Sequence, residues 1–287
     1  MRLPGLDKVW DQGFTGKGQT IAVIDSGFFA HADFADRVVG YVDMSSKSKR
    51  MLDRWGHGTH VAGIAAGSGS RSQGRIKGVA FEASLVGVRV SSVSEAIEGL
   101  SWLMARRLEL GVTVVNLSMG DVASVAFESC PWCRAVEKAV AAGLPVVVAA
   151  GNDHDRVCTP GISPSAITVG GVNDQGTPDP SDDTPYGVVF VTGKPDVSAP
   201  AVDVMSTLAP CSALDAPWRE HLGTDYMEMV GTSMATPAVA GLVALLRQAR
   251  PDLTPAQLKG VLVESAFLSA GMRIVRADAA LEMALRL

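Results

Sequence analysis

Five short runs rich in β-branched residues punctuate the chain up to residue 171: QTIAVID (19–25), SLVGVRV (84–90), VTVVNLS (112–118), LPVVVAA (144–150) and AITVGG (166–171). None alternates apolar with polar residues, which is the pattern of strands covered on both faces. The stretches between them, HVAGIAAG, SEAIEGLSWLMARRLELG and CRAVEKAVAAG, have helical character. The last two close on Gly111 and Gly143, the residue type that stops a helix before a strand. This rhythm predicts an α/β fold, a single-domain, doubly wound, mostly parallel β-sheet with helices on both faces. The end of the chain reads as helix: SMATPAVAGLVALLRQAR runs to Pro251, and Thr254 with Gln257 forms a capping-box pattern opening another. TPDPSDDTPYG (177–187) is the best loop, and strand-like sequence resumes after it. With no linker, repeat or low-complexity stretch, residues 1–287 read as one domain, with no propeptide or signal peptide evident.

The 287 residues are 47% hydrophobic and carry a net charge of −5, so no basic footprint points to nucleic acid. Apolar runs such as LPVVVAAG are too short to span a bilayer, and MRLPGLDKVW has no apolar segment of the kind a secretory leader needs. Four cysteines are too few to make the fold. Cys130 and Cys133 form C-P-W-C before a helix, while Cys158 and Cys211 stand alone. Structural disulfides are the first reading, free thiols the second and redox chemistry the last, with the pairing left open. No second CxxC or suitably spaced histidine accompanies them, so no metal site is expected.

In an open parallel sheet, chemistry gathers outside the carboxyl ends of the strands. Asp25 ends the first strand in IAVIDSG, and Asn152 follows the fourth in VVVAAGND. His57 and His60 lie on one side of a helix in WGHGTHVAGIAAG, and Ser233 heads a buried-looking helix in GTSMATPAVAG. Taken singly, these read as a turn cap, a turn residue, core histidines and an N-cap. Taken together they suggest more. The free N–H groups at the start of the last helix face whatever Ser233 would attack, and the Ser233 N–H would stabilise an oxyanion there. Gly231 clears room for a substrate backbone. Pro237 is expected to fall within the first turn or so, where its missing N–H would have been unpaired anyway.

The stretches IAVIDSG, HGTHVAGIAAG, VVNLSMG, VVVAAGN, KPDVSAP and GTSMATPAVAG, in this order, resemble the subtilisin-like serine proteases, the subtilases. The tail RIVRADAAL is similar to that family's closing segment as well. The order Asp, His, Ser belongs to the resemblance, being that of subtilisin. It implies a serine endopeptidase. Asp25 orients His57 and stabilises its imidazolium; His57 exchanges the proton of Ser233; Ser233 forms the acyl-enzyme; Asn152 and the Ser233 N–H hold the oxyanion. His60 is left to the core. Asn116 with the Ser118, Met119 and Gly120 segment, and Ala149, Ala150 and Gly151, resemble the two edges of the S1 pocket. Their small residues around Met119 suggest a roomy apolar slot, with Asp153 and Asp155 at its rim. Broad specificity follows, with large apolar P1 residues and tolerance of Lys or Arg.

The chain also departs from the family. Only Ser91, Ser92, Val93 and Ser94 precede the helix of Trp102, shorter than the usual glycine-containing segment, which puts the S2–S4 sites in question and opens the cleft. GSGSRSQGRIKGVAF lacks the asparagine-bearing loop of the strong calcium site, and Arg71, Arg75 and Lys77 would repel a cation there. No cofactor is required on this reading; a weaker calcium position near Asp182 and Asp183 reads better as a solvated loop. The expected partners are a protein or peptide substrate and an inhibitory propeptide outside this chain, with neither nucleic acid nor membrane, and the expected state is a monomer. Cysteine usage favours export and the missing leader favours the cell interior; export of a mature form is the reading kept. A nucleotide-binding reading fails because Gly16-Lys17-Gly18 precedes its strand instead of following it. An α/β-hydrolase reading fails because Ser233 comes last in order. A fold kept only for binding fits poorly with every implied catalytic residue in place.

Overall fold

The computed structural model describes residues 3–121, 126–153, 155–177, 179–187 and 193–287. Helix α1 (Leu6–Asp11) leads into β1 (Thr20–Asp25), β2 (Val38–Asp43), α2 (His57–Ala66), β3 (Ser84–Arg89) and α3 (Val93–Arg106). Next come β4 (Val112–Leu117), α4 (Pro131–Ala141), β5 (Val146–Ala149), β6 (Ile167–Asn173), β7 (Thr184–Tyr186), β8 (Val197–Pro200) and β9 (Val204–Thr207). The chain closes with β10 (His221–Leu222), β11 (Tyr226–Met229), α5 (Thr232–Ala249), α6 (Pro255–Glu264), β12 (Phe267–Ser269), β13 (Met272–Ile274) and α7 (Ala277–Arg286).

The main sheet runs β12-β13-β8-β6-β5-β4-β1-β3-β2, with β7 antiparallel on β6. From β2 to β8 every pairing along this path is parallel. Successive residues of β1 feed opposite layers: Ile21 and Val23 join the core that holds α2 and α5, while Ala22 and Ile24 join the core of α3 and α4. Burial of both faces explains why the strands lack an apolar–polar alternation. The chain passes from β3 across to β4 on the other side of β1, so the strand order reverses at β1, the place where such sheets open a crevice.

Helix α5 is the keystone of its layer. Leu242, Val243, Leu245 and Leu246 are fully buried, each contributing about 1.5–3 kcal/mol. Two sequence expectations need amendment. VVGYVD forms a further parallel strand at the sheet edge, and the 177–187 loop contains β7. The strand-like run expected after that loop lies, at 188–192, outside the described residues.

Candidate active site

Asp25 is the last residue of β1, and His57 is the first of α2. The carboxylate is 2% exposed, and its Oδ1 accepts from His57 Nδ1 at 2.7 Å and from the Ser26 N–H at 2.7 Å. The backbone of α2 is drawn unusually close to the turn after β1: a Cβ on Gly58 would stand 2.3 Å from the Gly27 carbonyl oxygen. Asp53 ties the approach together. Its Oδ1 accepts from Ser26 Oγ and the Gly56 N–H at 2.9 and 2.8 Å, and its Oδ2 from the Thr59 N–H and Oγ1 at 2.9 and 2.6 Å. Burial acts to lower the pKa of His57, but the charge and hydrogen bond of Asp25, with Asp53 behind them, outweigh it and leave it raised. His60, one turn on, is fully buried with Nε2 3.0 Å from the Met227 carbonyl oxygen. Burial drives its pKa down to about 3, so it stays neutral.

Ser233 is the second residue of α5, whose N-cap is Gly231. Its hydroxyl donates to the Ser118 carbonyl at 3.0 Å. Among the described residues no hydrogen bond joins it to His57, so the proton-transfer contact expected from the sequence is not made in this state. The hydroxyl is held instead by the backbone carbonyl after β4, and catalytic hydrogen bonds are often long or poorly aligned before substrate binds. Pro237 also differs from expectation. It stands at the sixth helical position, where its missing N–H would have met the Ser233 carbonyl. That carbonyl is satisfied instead by Ser118 Oγ at 2.9 Å, and the same hydroxyl accepts from Asn116 Nδ2 at 3.0 Å.

Asn152 follows β5 and faces the start of α5. Its Oδ1 accepts from the Thr232 N–H at 3.0 Å and from Thr232 Oγ1 at 3.1 Å. Because a backbone N–H can only donate, these bonds fix which end of the amide is oxygen and turn Nδ2 the other way. Thr232 Oγ1 also accepts from the Gly151 N–H at 3.3 Å. Thr232 and Asp53 were both missed in the sequence; the signals were the threonine of G-T-S and the aspartate four residues before His57.

Two hollows flank these groups. One, of about 320 Å³, is lined by Met119, Gly120, Ala149, Gly151, Asn152 and Ser233, among others, and so unites the two predicted substrate edges; Asp153 is also on its lining, whereas Asp155 is exposed and not part of it. The other, of about 410 Å³, lies beside His57 between Trp55, Val90, Val93, Met119 and Trp132.

Cys130 and Cys133 are joined across the first turn of α4 and both are buried, whereas Cys158 and Cys211 are free. An even count does not mean two bridges here. The loop after α2 presents donors to the buried Asp33 carboxylate, the Gly69 and Arg71 N–H groups at 3.2 and 3.0 Å and Ser70 Oγ at 2.9 Å, and Tyr226 of β11 adds its OH at 2.7 Å. Among the described residues no three His, Cys, Asp or Glu side chains converge as a metal requires, and no helix is long and apolar enough to cross a membrane.

Residues 16–284 match the model of the subtilase family. Serine protease AprX of Bacillus subtilis (strain 168) is 39% identical over 272 residues, covering 88% of this chain and 62% of that protein. Subtilisin DY of Bacillus licheniformis is 31% identical over 272 residues, covering 91% of this chain and 88% of its own. The structure of a protease from Pseudoalteromonas arctica PAMC 21717 superposes with a TM-score of 0.79 at 26% identity, covering 98% of this chain and 94% of that one. A cold-adapted subtilisin-like serine proteinase superposes with a TM-score of 0.69 at 33% identity, covering 88% and 84%. The chain spans less than two thirds of the length of several of these relatives, 62% of AprX and 44% of the alkaline serine exoprotease A of Vibrio alginolyticus. With the family model covering nearly all of its length, the chain belongs to the subtilase family.

Proposed function

We propose that the protein is a serine endopeptidase that cleaves peptide bonds through an acyl-enzyme on Ser233. The observation that carries the reading is the 2.7 Å bond between the buried Asp25 carboxylate and His57 Nδ1, which fixes the ring with Nε2 as the basic nitrogen. An extended substrate would lie along the edge at Ser118, Met119 and Gly120 and the edge at Ala149, Ala150 and Gly151, donating a backbone N–H to the Ser118 carbonyl. That would displace the Ser233 hydroxyl from its present acceptor and let it turn to His57. His57 then takes the proton as Oγ attacks the carbonyl carbon. The tetrahedral oxyanion is met by Asn152 Nδ2 and the Ser233 N–H, and His57 returns the proton to the departing amine. Water reverses the sequence to release the acid.

The hollow between the two edges suits large apolar P1 side chains, and Asp153 at its rim gives tolerance of Lys and Arg. No cofactor takes part in this reading. The Asp33 carboxylate is already occupied by four donors, which leaves a cation little anionic oxygen to bind. A fluorophosphonate should label the protein at Ser233, and Ser233→Ala should abolish both labelling and casein hydrolysis while the circular dichroism stays unchanged. Folded wild-type protein that takes no label would overturn the proposal.

A further inference from the structure

Cys130-Pro131-Trp132-Cys133 has no part in the catalytic reading, yet it stands beside the cleft. Pro131 opens α4, Cys130 is its N-cap and Cys133 lies within the first turn, so the bridge closes that turn on itself. The Cys133 N–H donates to Cys130 Sγ at 3.1 Å, where a cap hydroxyl would ordinarily accept. The two sulfurs are unequal: Cys133 is fully buried, whereas Cys130 keeps 2% exposure.

Between them stands Trp132, buried and on the lining of the 410 Å³ hollow with Asp25, His57, Val90, Val93 and Met119. Cys130, Trp132 and Cys133 share one core cluster with Leu117 and Val136. No hydrogen bond anchors the ring, because its Nε1 is buried without a partner among the described residues. Packing and the closed turn alone hold it in place. Reduction turns the bridge into two thiols that each need their own van der Waals room in a close-packed core. Trp132 is the neighbour with somewhere to go, since it borders the hollow.

We infer that the Cys130–Cys133 bridge is a redox switch on the cleft. Oxidised, it holds Trp132 as a wall of the hollow beside His57. Reduced, it lets the ring shift into that hollow and weakens the grip on residues upstream of the cleaved bond, while Asp25, His57 and Ser233 stay in place. This control rests on the endopeptidase reading above and adds its regulation. The reductant is a dithiol. One of its thiolates attacks Cys130 Sγ, the S–S bond breaks, and Cys133 leaves as a thiolate that takes a proton from solvent. The second thiol then attacks the reductant's own sulfur in the mixed disulfide and expels Cys130, its proton reaching that thiolate through solvent. Two electrons have passed to the protein, and the reductant ends as a cyclic disulfide. The Cys133 N–H aimed at Cys130 Sγ favours this departure, as donors at a helix N-terminus stabilise a leaving thiolate.

The test compares two substrates with the same P1 residue: a tetrapeptide anilide, which reaches the hollow, and the ethyl ester of the acetylated P1 residue alone, which does not. Cys158 and Cys211 are already thiols, so the bridge is the one group dithiothreitol can reduce. Treatment of the folded protein should raise its thiol count, read after unfolding in acid, from two to four. The ratio of kcat/KM, tetrapeptide over ester, should fall about tenfold, the size of a small misfit in an apolar pocket, and return on reoxidation. The Cys130→Ser, Cys133→Ser double variant should show the low ratio throughout and ignore the reductant. A ratio is insensitive to the fraction of enzyme that folds, and the treated wild type alone decides the matter should the variant not fold.

An unchanged ratio in protein carrying four thiols, a bridge that dithiothreitol leaves closed in the folded protein, or a double variant with the ratio of the oxidised wild type would each overturn the switch and leave the endopeptidase reading standing. Absence of fluorophosphonate labelling in the oxidised wild type would remove that reading, and the switch with it.

Discussion

Replacement of Ser118 by alanine removes one hydroxyl from between the buried Asn116 side chain and the half-buried Ser233 carbonyl. Its Oγ donates to the Ser233 carbonyl at 2.9 Å and accepts from Asn116 Nδ2 at 3.0 Å. An unsatisfied buried polar group costs about 1–3 kcal/mol, and here the helix cannot fill the gap, because the residue four positions after Ser233 is Pro237. Pro237→Ala restores an N–H where the carbonyl needs a donor. The carbonyl share of the loss should then return, and the Asn116 share should remain. A four-protein cycle separates the two: the parent, Ser118→Ala, Pro237→Ala and the double variant, all carrying Ser233→Ala so that self-digestion does not distort the unfolding curves. We expect a coupling of about 1–2 kcal/mol, within the range for residues sharing one partner. That is about 2–8 °C in unfolding temperature, at about 2–4 °C per kcal/mol for a domain somewhat smaller than this. If Ser118→Ala costs the same with proline or alanine at 237, the Ser118 hydroxyl is not standing in for a helical hydrogen bond and the reasoning fails.

The remaining expectations are simpler. His57 must be neutral to accept a proton and its pKa is raised above 6.5, so kcat/KM should fall on acidification with a midpoint above that value. Asp25→Asn should move the midpoint down and cut kcat by roughly 10⁴; a midpoint below 6 in the parent would contradict the assignment. Asp183 is raised to about 6 by burial and then by Asp174, Asp182 and Asp179. A carboxyl whose folded pKa lies above its unfolded value favours the fold while protonated and loses that contribution as pH rises through the folded value. Asp183→Asn should accordingly raise the unfolding temperature at pH 7.5 and leave it nearly unchanged at pH 3.5. EDTA should leave the unfolding temperature of the Ser233→Ala protein where it was; a drop would mean that a cation holds some loop in place.

The strands and their catalytic-looking termini were legible because local pattern determines them. A fully buried β1 must be apolar at adjacent positions, and a polar Asp25 at its end then stands out. Asn152 is visible for the same reason after β5. What stayed hidden depends on contacts between distant pieces of chain. Asp53 looks like a surface loop residue until α2 folds over it. Cys158 looks solitary because its neighbours, Gly120 and Gly151, come from other segments. The role of Pro237 could not be read from its offset within GTSMATP, since the hydroxyl that compensates for it belongs to Ser118. The Ser233 hydroxyl is aimed at the carbonyl of Ser118, a residue far away in the chain, and sequence holds no record of that contact.

The position of α5 in the core has a consequence for biosynthesis. Asp25 and His57 leave the ribosome early, whereas Ser233 comes late, on a helix whose apolar residues pack against the middle of the sheet. On the proposed reading, a nascent chain still short of α5 has neither its nucleophile nor a completed core, so peptide cleavage would begin only once translation has passed the helix that also completes the fold.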